Sequence, residues 1–363
     1  MKILIIHATA GAGHKKAAEA IYNGIKSKTD FDAKLVDALD YSNPVFKYTY
    51  PNFYTFLVSH IPWLWGIMFG LLDVPALQGI VRLIRRGYNA LNAQRLHTFL
   101  KQEQFDWIIC TQFLSAEVSG YLKRTNQIKS KILCVVTDFD VHRIWITEGI
   151  DYYTGASDYT REKLISLGIS KERAFTTGIP TDPKFLKQED PVALRRQWGL
   201  NETKPTILIA TGSFGFGPIE ELIDTLKDQQ IIVVCGHNKG LFERLSRRSL
   251  PHVKVCGLVD NMEELMSASD IMVTKPGGLS IAEALVKGLV LIFFSAIPGQ
   301  EIGNVRVLTQ NHVGLGQLEL KQIKEAVGRL CASRKELDDQ RARSKAFGKP
   351  WAVDDIIRIV RNK

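Results

Sequence analysis

Two adjacent glycines, Gly277 and Gly278, follow an apolar strand-like run and precede a helical pattern. In that setting bare backbone amides and a helix dipole can meet a diphosphate, and Lys275 adds a positive charge beside them. Glu283 falls about one and a half turns into the helix, within reach of a ribose held over its start. A second polar loop, Gln300 to Asn304, begins just after the next apolar run and so opens on the same sheet edge, contributing Gln300, Glu301 and Asn304. Phosphate, ribose and sugar contacts at neighbouring strand ends read as a nucleotide-sugar site. Three more loops recur at strand ends in this half: Gly212-Ser213 for phosphate, Gly236-His237 beside it, and Val259, whose backbone could meet the edge of a base. One ligand can touch all of them, which makes the recurrence stronger evidence than any single loop.

The first half offers a base. His7-Ala8-Thr9-Ala10-Gly11-Ala12-Gly13-His14 joins a strand to a helix, with Gly11 and Gly13 read as letting the backbone turn tightly. His14 then sits at a helix start, where the dipole disfavours imidazolium and keeps the ring able to accept a proton. A dinucleotide fold is the rival. Lys16 occupies the place of the third glycine in G-x-G-x-x-G, so only Asp37, at the end of the second strand, supports it. Asp138, in Thr137-Asp138-Phe139-Asp140-Val141-His142, reaches another strand-end loop. It is either an orienting or proton-accepting carboxylate, or half of a metal-binding pair with Asp140. Amides and Lys275 already answer the diphosphate charge, which favours the metal-free version.

At 363 residues the chain is long enough for two ordinary domains. Hydrophobic residues make up 45% and charged residues 23%, the balance of a folded protein with an aqueous surface. A net charge of +9 favours an anionic partner, nucleic acid or an acidic membrane surface. The five cysteines are scattered without metal-ligand spacing and lie mostly in apolar strands, which reads as free buried thiols in a reducing compartment. No secretory signal is visible. The longest strongly apolar run, Ile61–Leu72, would span only about 18 Å as a helix, too short to cross a bilayer alone.

Strand-like runs alternate with helical patterns in both halves, which predicts two doubly wound parallel sheets. Strands are expected near Lys2–Ile6, Ala33–Asp37, Asp106–Thr111, Lys131–Thr137 and Asp151–Gly155, then near Thr206–Thr211, Ile231–Cys235, Val253–Cys256, Ile271–Thr274 and Val290–Phe294. The expected domains are residues 1–185 and 200–345, with a last helix within 350–363 returning to the first. An aromatic excursion at about 43–102 interrupts the alternation. Trp63, Trp65 and Phe69 stand in it, and Val74 to Gln102 holds Arg82, Arg85 and Arg86 without a single acidic residue. Such a segment suits a membrane interface, rings in the acyl boundary and arginines on anionic headgroups. A helical insertion packed on its own domain is the plainer reading.

In order along residues 11 to 304 stand Gly-Ala-Gly-His, Val-Thr-Asp-Phe-Asp-Val-His-Arg-Ile-Trp, Ala-Ser-Asp-Tyr-Thr-Arg-Glu-Lys-Leu, Thr-Gly-Ile-Pro, Val-Cys-Gly-His-Asn, Lys-Pro-Gly-Gly and Pro-Gly-Gln-Glu. This ordered set resembles the monogalactosyldiacylglycerol synthase and diacylglycerol glucosyltransferase family and, more distantly, the peptidoglycan lipid-intermediate N-acetylglucosaminyltransferase. The resemblance implies an α/β fold of GT-B type, two domains facing across a cleft with a helical membrane-facing insertion in the first. It further implies inverting hexose transfer from UDP-glucose or UDP-galactose to a membrane lipid such as diacylglycerol. From the residues themselves no metal or other cofactor is expected, and no nucleic acid partner, since the positive charge is local to the aromatic excursion and no RNA or DNA module is visible. The resemblance would place uracil near Val259, ribose on Glu283, diphosphate near Ser213 and Gly277–Gly278, and hexose on Gln300 and Glu301. His14, with Gly13 beside it, would lie near the acceptor, and the aromatic excursion would be the membrane-docking region. The protein would then work in the cytoplasm, peripherally attached to the inner face of the cell membrane. Phe214-Gly215-Phe216 departs from the family pattern. A polyprenyl-linked acceptor, epimerisation of a UDP-sugar, and a non-catalytic UDP-sugar sensor are the alternatives.

Overall fold

The computed structural model describes every residue except Ala10, Phe216 and Ser295; of Ser59, Arg86, Tyr88, Asn89, Ala90, Leu91 and Gln300 it describes the backbone alone. The chain divides into two units: residues 1–182 with 297–303 and 351–363, and residues 183–296 with 304–350.

The first unit runs β1 (Lys2–His7), α1 (Ala12–Lys28), β2 (Asp32–Asp37), α2 (Pro44–His60), α3 (Pro62–Leu71), α4 (Gln78–Asn92), α5 (Gln94–Glu103), β3 (Trp107–Cys110), α6 (Phe113–Arg124), β4 (Lys131–Val135), β5 (Tyr152–Gly155), α7 (Asp158–Ser166) and β6 (Ala174–Thr176). Its six parallel strands lie in the order β2-β1-β3-β4-β5-β6. Strand β1 shows why these runs are apolar throughout. Leu4 and Ile6 enter one core layer, Ile3 and Ile5 the layer on the opposite face, and all four are fully buried.

The second unit begins with α8 (Pro191–Gln197) and continues β7 (Thr206–Ala210), α9 (Ile219–Thr225), β8 (Gln230–Val234), α10 (Lys239–Arg247), β9 (Val253–Cys256), α11 (Met262–Ser267), β10 (Ile271–Thr274), α12 (Gly278–Lys287) and β11 (Val290–Phe293). Then come α13 (Gln300–Gln310), α14 (Leu320–Ala332), α15 (Arg334–Phe347) and α16 (Ala352–Asn362). The five strands order as β11-β10-β7-β8-β9, again parallel. At the amino ends of this sheet, buried Asp270 accepts from Arg195 of α8 and Arg341 of α15, both at 2.6 Å, and from the Thr206 amide at 2.8 Å. Two flanking helices are thereby pinned to the sheet at the end away from its functional loops.

Helix α16 belongs to the first unit, where Val353, Ile356, Ile357 and Val360 share a core layer with Ala18, Ile21 and Ile25 of α1. The four cysteines Cys110, Cys134, Cys235 and Cys256 are buried and free, and Cys331 is free and half-buried. Among the described residues no single helix is long and apolar enough to cross a membrane; α2 and α3 are together, but bent by 110°.

Three features differ from the sequence expectation. Strand β6 was not foreseen, because three residues give too little alternation to read. The polar segment expected as a loop over 300–304 is the first turn of α13. Pro298 and Gly299, with φ +82, make the turn, and the Glu301 carboxylate accepts the Ile297 amide at 2.8 Å, so a helix starts where polarity suggested a loop. The third concerns the first loop: Gly11 (φ 172) and Gly13 are both outside the left-handed region, so neither is needed for a turn. Helix α1 starts at Ala12, with Gly11 as its N-cap and no side chain capping its first amides.

Candidate active site

In each sheet one strand order reversal opens a crevice at the carboxyl ends, where loops from neighbouring strands diverge. In the first sheet the reversal lies between β1 and β3. The loop after β1 leads to His14, and the loop after β3 begins with Thr111. The two meet: His14 Nδ1 is 2.9 Å from the Thr111 carbonyl oxygen, and the Thr111 hydroxyl donates to the His14 carbonyl at 2.9 Å. A carbonyl only accepts, so Nδ1 must carry the proton and Nε2 the lone pair. The Thr137 hydroxyl stands 2.9 Å from the same Nδ1, and Trp145 meets the ring edge-on with centroids 5.9 Å apart. Burial pushes the His14 pKa down to about 4, against a smaller upward pull from the Thr111 carbonyl; the nearby His7 adds a further downward push. The result is a neutral imidazole in a fixed tautomer.

Asp138 accepts from the buried Trp145 indole at 3.2 Å. Thr111 and Thr137, which carry no motif signal of their own, also orient His14. Trp145 links the two candidate catalytic residues by touching both. Asp37, the only support for a dinucleotide site, caps a short turn through the Leu39 amide at 2.9 Å. It also stands 3.9 Å from the buried His7. Among the described residues no group of three or more His, Cys, Asp or Glu could hold a metal ion.

In the second sheet the reversal lies between β7 and β10. The loops after these strands carry Gly212-Ser213 and Lys275 to Gly278. Backbone contacts knit the rim: the His237 amide donates to Ser213 O at 2.8 Å, and the Gly236 amide to Gly257 O at 3.2 Å. Gly236 has φ +59, and a Cβ there would lie 2.3 Å from Ser213 O; Gly215 has φ +60, and a Cβ there would lie 2.2 Å from Cys235 O. Only glycine allows these two loops to close on each other. Gly212 and His237 are exposed, while Ser213, Val259, Lys275 and Glu283 are half-buried.

The Gly277 amide is committed to Lys275 O at 2.9 Å, and no side chain caps α12. The bare amides therefore start at Gly278, one residue later than the pair of glycines suggested. Buried Asn304 donates to Pro276 O at 2.9 Å and so shapes this loop from beneath. Glu301 belongs to the first unit; its first-turn position follows from the Ile297 bond, and the side chain of Gln300 lies outside the described residues.

The aromatic excursion sorts into two faces. Trp65 packs on Tyr54 with ring centroids 5.1 Å apart, and buried Phe69 lies 3.9 Å from the His142 ring. Trp63 points out, 64% exposed. Most exposed large apolar side chains among the described residues fall between Val45 and Ile84. The arginines expected on headgroups have protein partners. Arg85 pairs with Glu117 at 2.6 Å, largely shielded, and Arg82 pairs with Glu148 at 2.9 Å; the Arg86 side chain lies outside the described residues. Glutamates of α6 and the following loops, distant in sequence, supply the countercharge that 74–102 lacks.

Solved structures share this architecture. A MurG from Acinetobacter baumannii superposes with a TM-score of 0.63 at 12% identity, covering 100% of this chain and 99% of that one. A UDP-GlcNAc 2-epimerase from Neisseria meningitidis bound to UDP-GlcNAc gives 0.63 at 15% identity, covering 100% of each chain. Two parallel α/β sheets of this kind define a protein of the GT-B class. The monogalactosyldiacylglycerol (MGDG) synthase family model matches residues 14–181, and the glycosyltransferase family 28 C-terminal domain matches 206–354. Processive diacylglycerol beta-glucosyltransferases from Bacillus pumilus (strain SAFR-032) and Bacillus subtilis (strain 168) are each 30% identical to it. The alignments cover 95% of this chain and 91% of the first relative, and 93% and 88% for the second. The chain belongs to this family of glycosyltransferases.

Proposed function

We propose that this enzyme moves a hexose from a UDP-sugar to the free hydroxyl of diacylglycerol with inversion, giving a β-glycosyldiacylglycerol. The name of the relatives favours glucose over galactose as the hexose, and allows for repeated addition. The observation that carries the reading is His14, neutral and with its proton fixed on Nδ1, at the strand reversal of the first sheet.

In this mechanism the acceptor hydroxyl gives its proton to His14 Nε2 while its oxygen attacks the anomeric carbon. The bond from that carbon to the β-phosphate oxygen breaks, and UDP leaves with the electron pair. The amides from Gly278 onward, the dipole of α12 and Lys275 would receive the charge that develops on the diphosphate. Val259 would face uracil, Glu283 the ribose, and Gln300 and Glu301 the hexose. Asp138, held by Trp145, would steady the acceptor or the hexose, and no metal is assigned a part. The exposed apolar side chains of α2 to α4 would sit in the headgroup boundary of the inner leaflet, keeping the enzyme peripheral on the cytoplasmic face.

Mass spectrometry of lipids after separate incubations of diacylglycerol vesicles with UDP-glucose, UDP-galactose and UDP-N-acetylglucosamine tests this. A hexosyl-diacylglycerol and free UDP are expected with UDP-glucose. An epimerised nucleotide sugar without lipid product, or product only with a polyprenyl-linked acceptor, would replace the reading.

A further inference from the structure

Residues 297–303, the turn and first helical residues that carry Glu301, are held from two sides within the first unit. On one side is α3. A Cβ added at Gly66 would lie 2.7 Å from the Pro298 Cβ, and one added at Gly299 would lie 2.9 Å from the Phe69 ring. On the other side is the Asp138–His142 loop: a Cβ at Gly303 would lie 2.7 Å from both Cβ and Oδ2 of Asp140. The two sides are themselves joined, since His142 Nε2 meets the Phe69 carbonyl at 2.9 Å and the Arg143 amide donates to Asp73 at 3.0 Å, just past the end of α3.

Glycine is a poor helix former, and α3 holds two. Gly70 has nothing within 4 Å of a Cβ, whereas Gly66 is the point of closest approach to the turn. Tyr54, packed on Trp65 one residue before Gly66, has its hydroxyl pKa raised by burial first, then by the negative charges of Glu301 and Asp138. The helix of the aromatic excursion therefore lies against the acidic turn, with Trp63 and Ile67 facing outward.

We propose that α3 is the seat of the Glu301 turn, with Gly66 and Phe69 as positioning residues that set where the donor hexose is held. The proposal rests on the reading of Glu301 as a hexose ligand. It gives the insertion a role in donor binding in addition to any role at a lipid surface. A wedge at Gly66 displaces Pro298 and carries Glu301 with it.

Titration calorimetry of the full-length protein with UDP and with UDP-glucose tests this, comparing Gly66→Ala, Gly70→Ala and wild type. Both variants make the same chemical change on the same helix. Gly70→Ala is expected to match wild type with both ligands. Gly66→Ala is expected to bind UDP normally and UDP-glucose roughly tenfold more weakly, the scale of one weakened hydrogen bond to a charged group. The double variant Gly66→Ala with Pro298→Gly, which removes the colliding Cβ, should recover UDP-glucose binding. The proposal is overturned if Gly66→Ala matches Gly70→Ala, if UDP and UDP-glucose weaken by the same factor, or if the double variant recovers nothing. A wild type that binds UDP-glucose but transfers nothing to diacylglycerol counts against the function proposed above, and the binding comparison still decides the seat of the turn.

Discussion

His14 Nε2 is useful as a base only while it is unprotonated, and its surroundings decide how far into acid that lasts. An ordinary histidine begins to lose its lone pair below pH 6.5. Burial, which outweighs the upward pull of the Thr111 carbonyl, lowers the His14 pKa to about 4, so the neutral ring persists through that interval and is lost only as pH falls toward 4. The acid limb of kcat/KM belonging to this group should therefore lie well below 6.5. His14→Ala should remove that limb and cut kcat by about 10²- to 10⁴-fold, the range of a general base, while UDP affinity stays near normal. Undiminished turnover in His14→Ala, or an acid limb at 6.5 in the wild type, would reject His14 as the base. The residue type was legible in the sequence, and so was its place at a helix start. Its tautomer was not, because that depends on the carbonyl of Thr111, 97 positions away.

At the scale of elements, the loops after β7 and β8 hold each other through glycines whose side-chain space is already taken by a carbonyl. Gly236→Ala would have to place a Cβ 2.3 Å from Ser213 O while keeping φ at +59. The left-handed backbone alone costs a non-glycine residue about 1–2 kcal/mol, and the collision adds to that. A lower urea midpoint is expected, together with weaker UDP binding, because the displaced Ser213 loop belongs to the rim. Gly240→Ala, whose Cβ would meet nothing closer than 3.5 Å, should leave both unchanged and serves as the comparison. Strands and most helix starts could be read from apolar runs and turn residues. The Gln300–Asn304 segment could not, since its first-turn bond comes from a carboxylate folding back onto Ile297.

For the whole molecule, the positive charge of +9 suggested an anionic surface, yet charge is the weaker part of the argument once the arginines are placed. Arg82 and Arg85 face glutamates, whereas Trp63 (64% exposed) and Leu83 (70% exposed) face out. Attachment to vesicles should then depend more on apolar burial than on salt. Trp63→Asp with Leu83→Asp should strongly reduce cosedimentation with phosphatidylglycerol vesicles and spare UDP binding. Raising salt should weaken wild-type cosedimentation only in part. Full release by salt, or unchanged sedimentation of the double variant, would reject this division of labour.

Composition, the alternation of apolar and helical runs, and the glycine-bearing strand ends determined two parallel α/β sheets and the loops that bear chemistry, because each depends on residues close in sequence. Which loops face one another was decided by strand order. Only the order β2-β1-β3 brings His14 against Thr111, and only β10-β7-β8 puts the loops of Gly277, Ser213 and Gly236 after neighbouring strands. Strand order is fixed by long-range packing of strands that look alike in sequence, as are the partners of Arg85, the inward turn of Phe69 and the seat of Pro298 on Gly66.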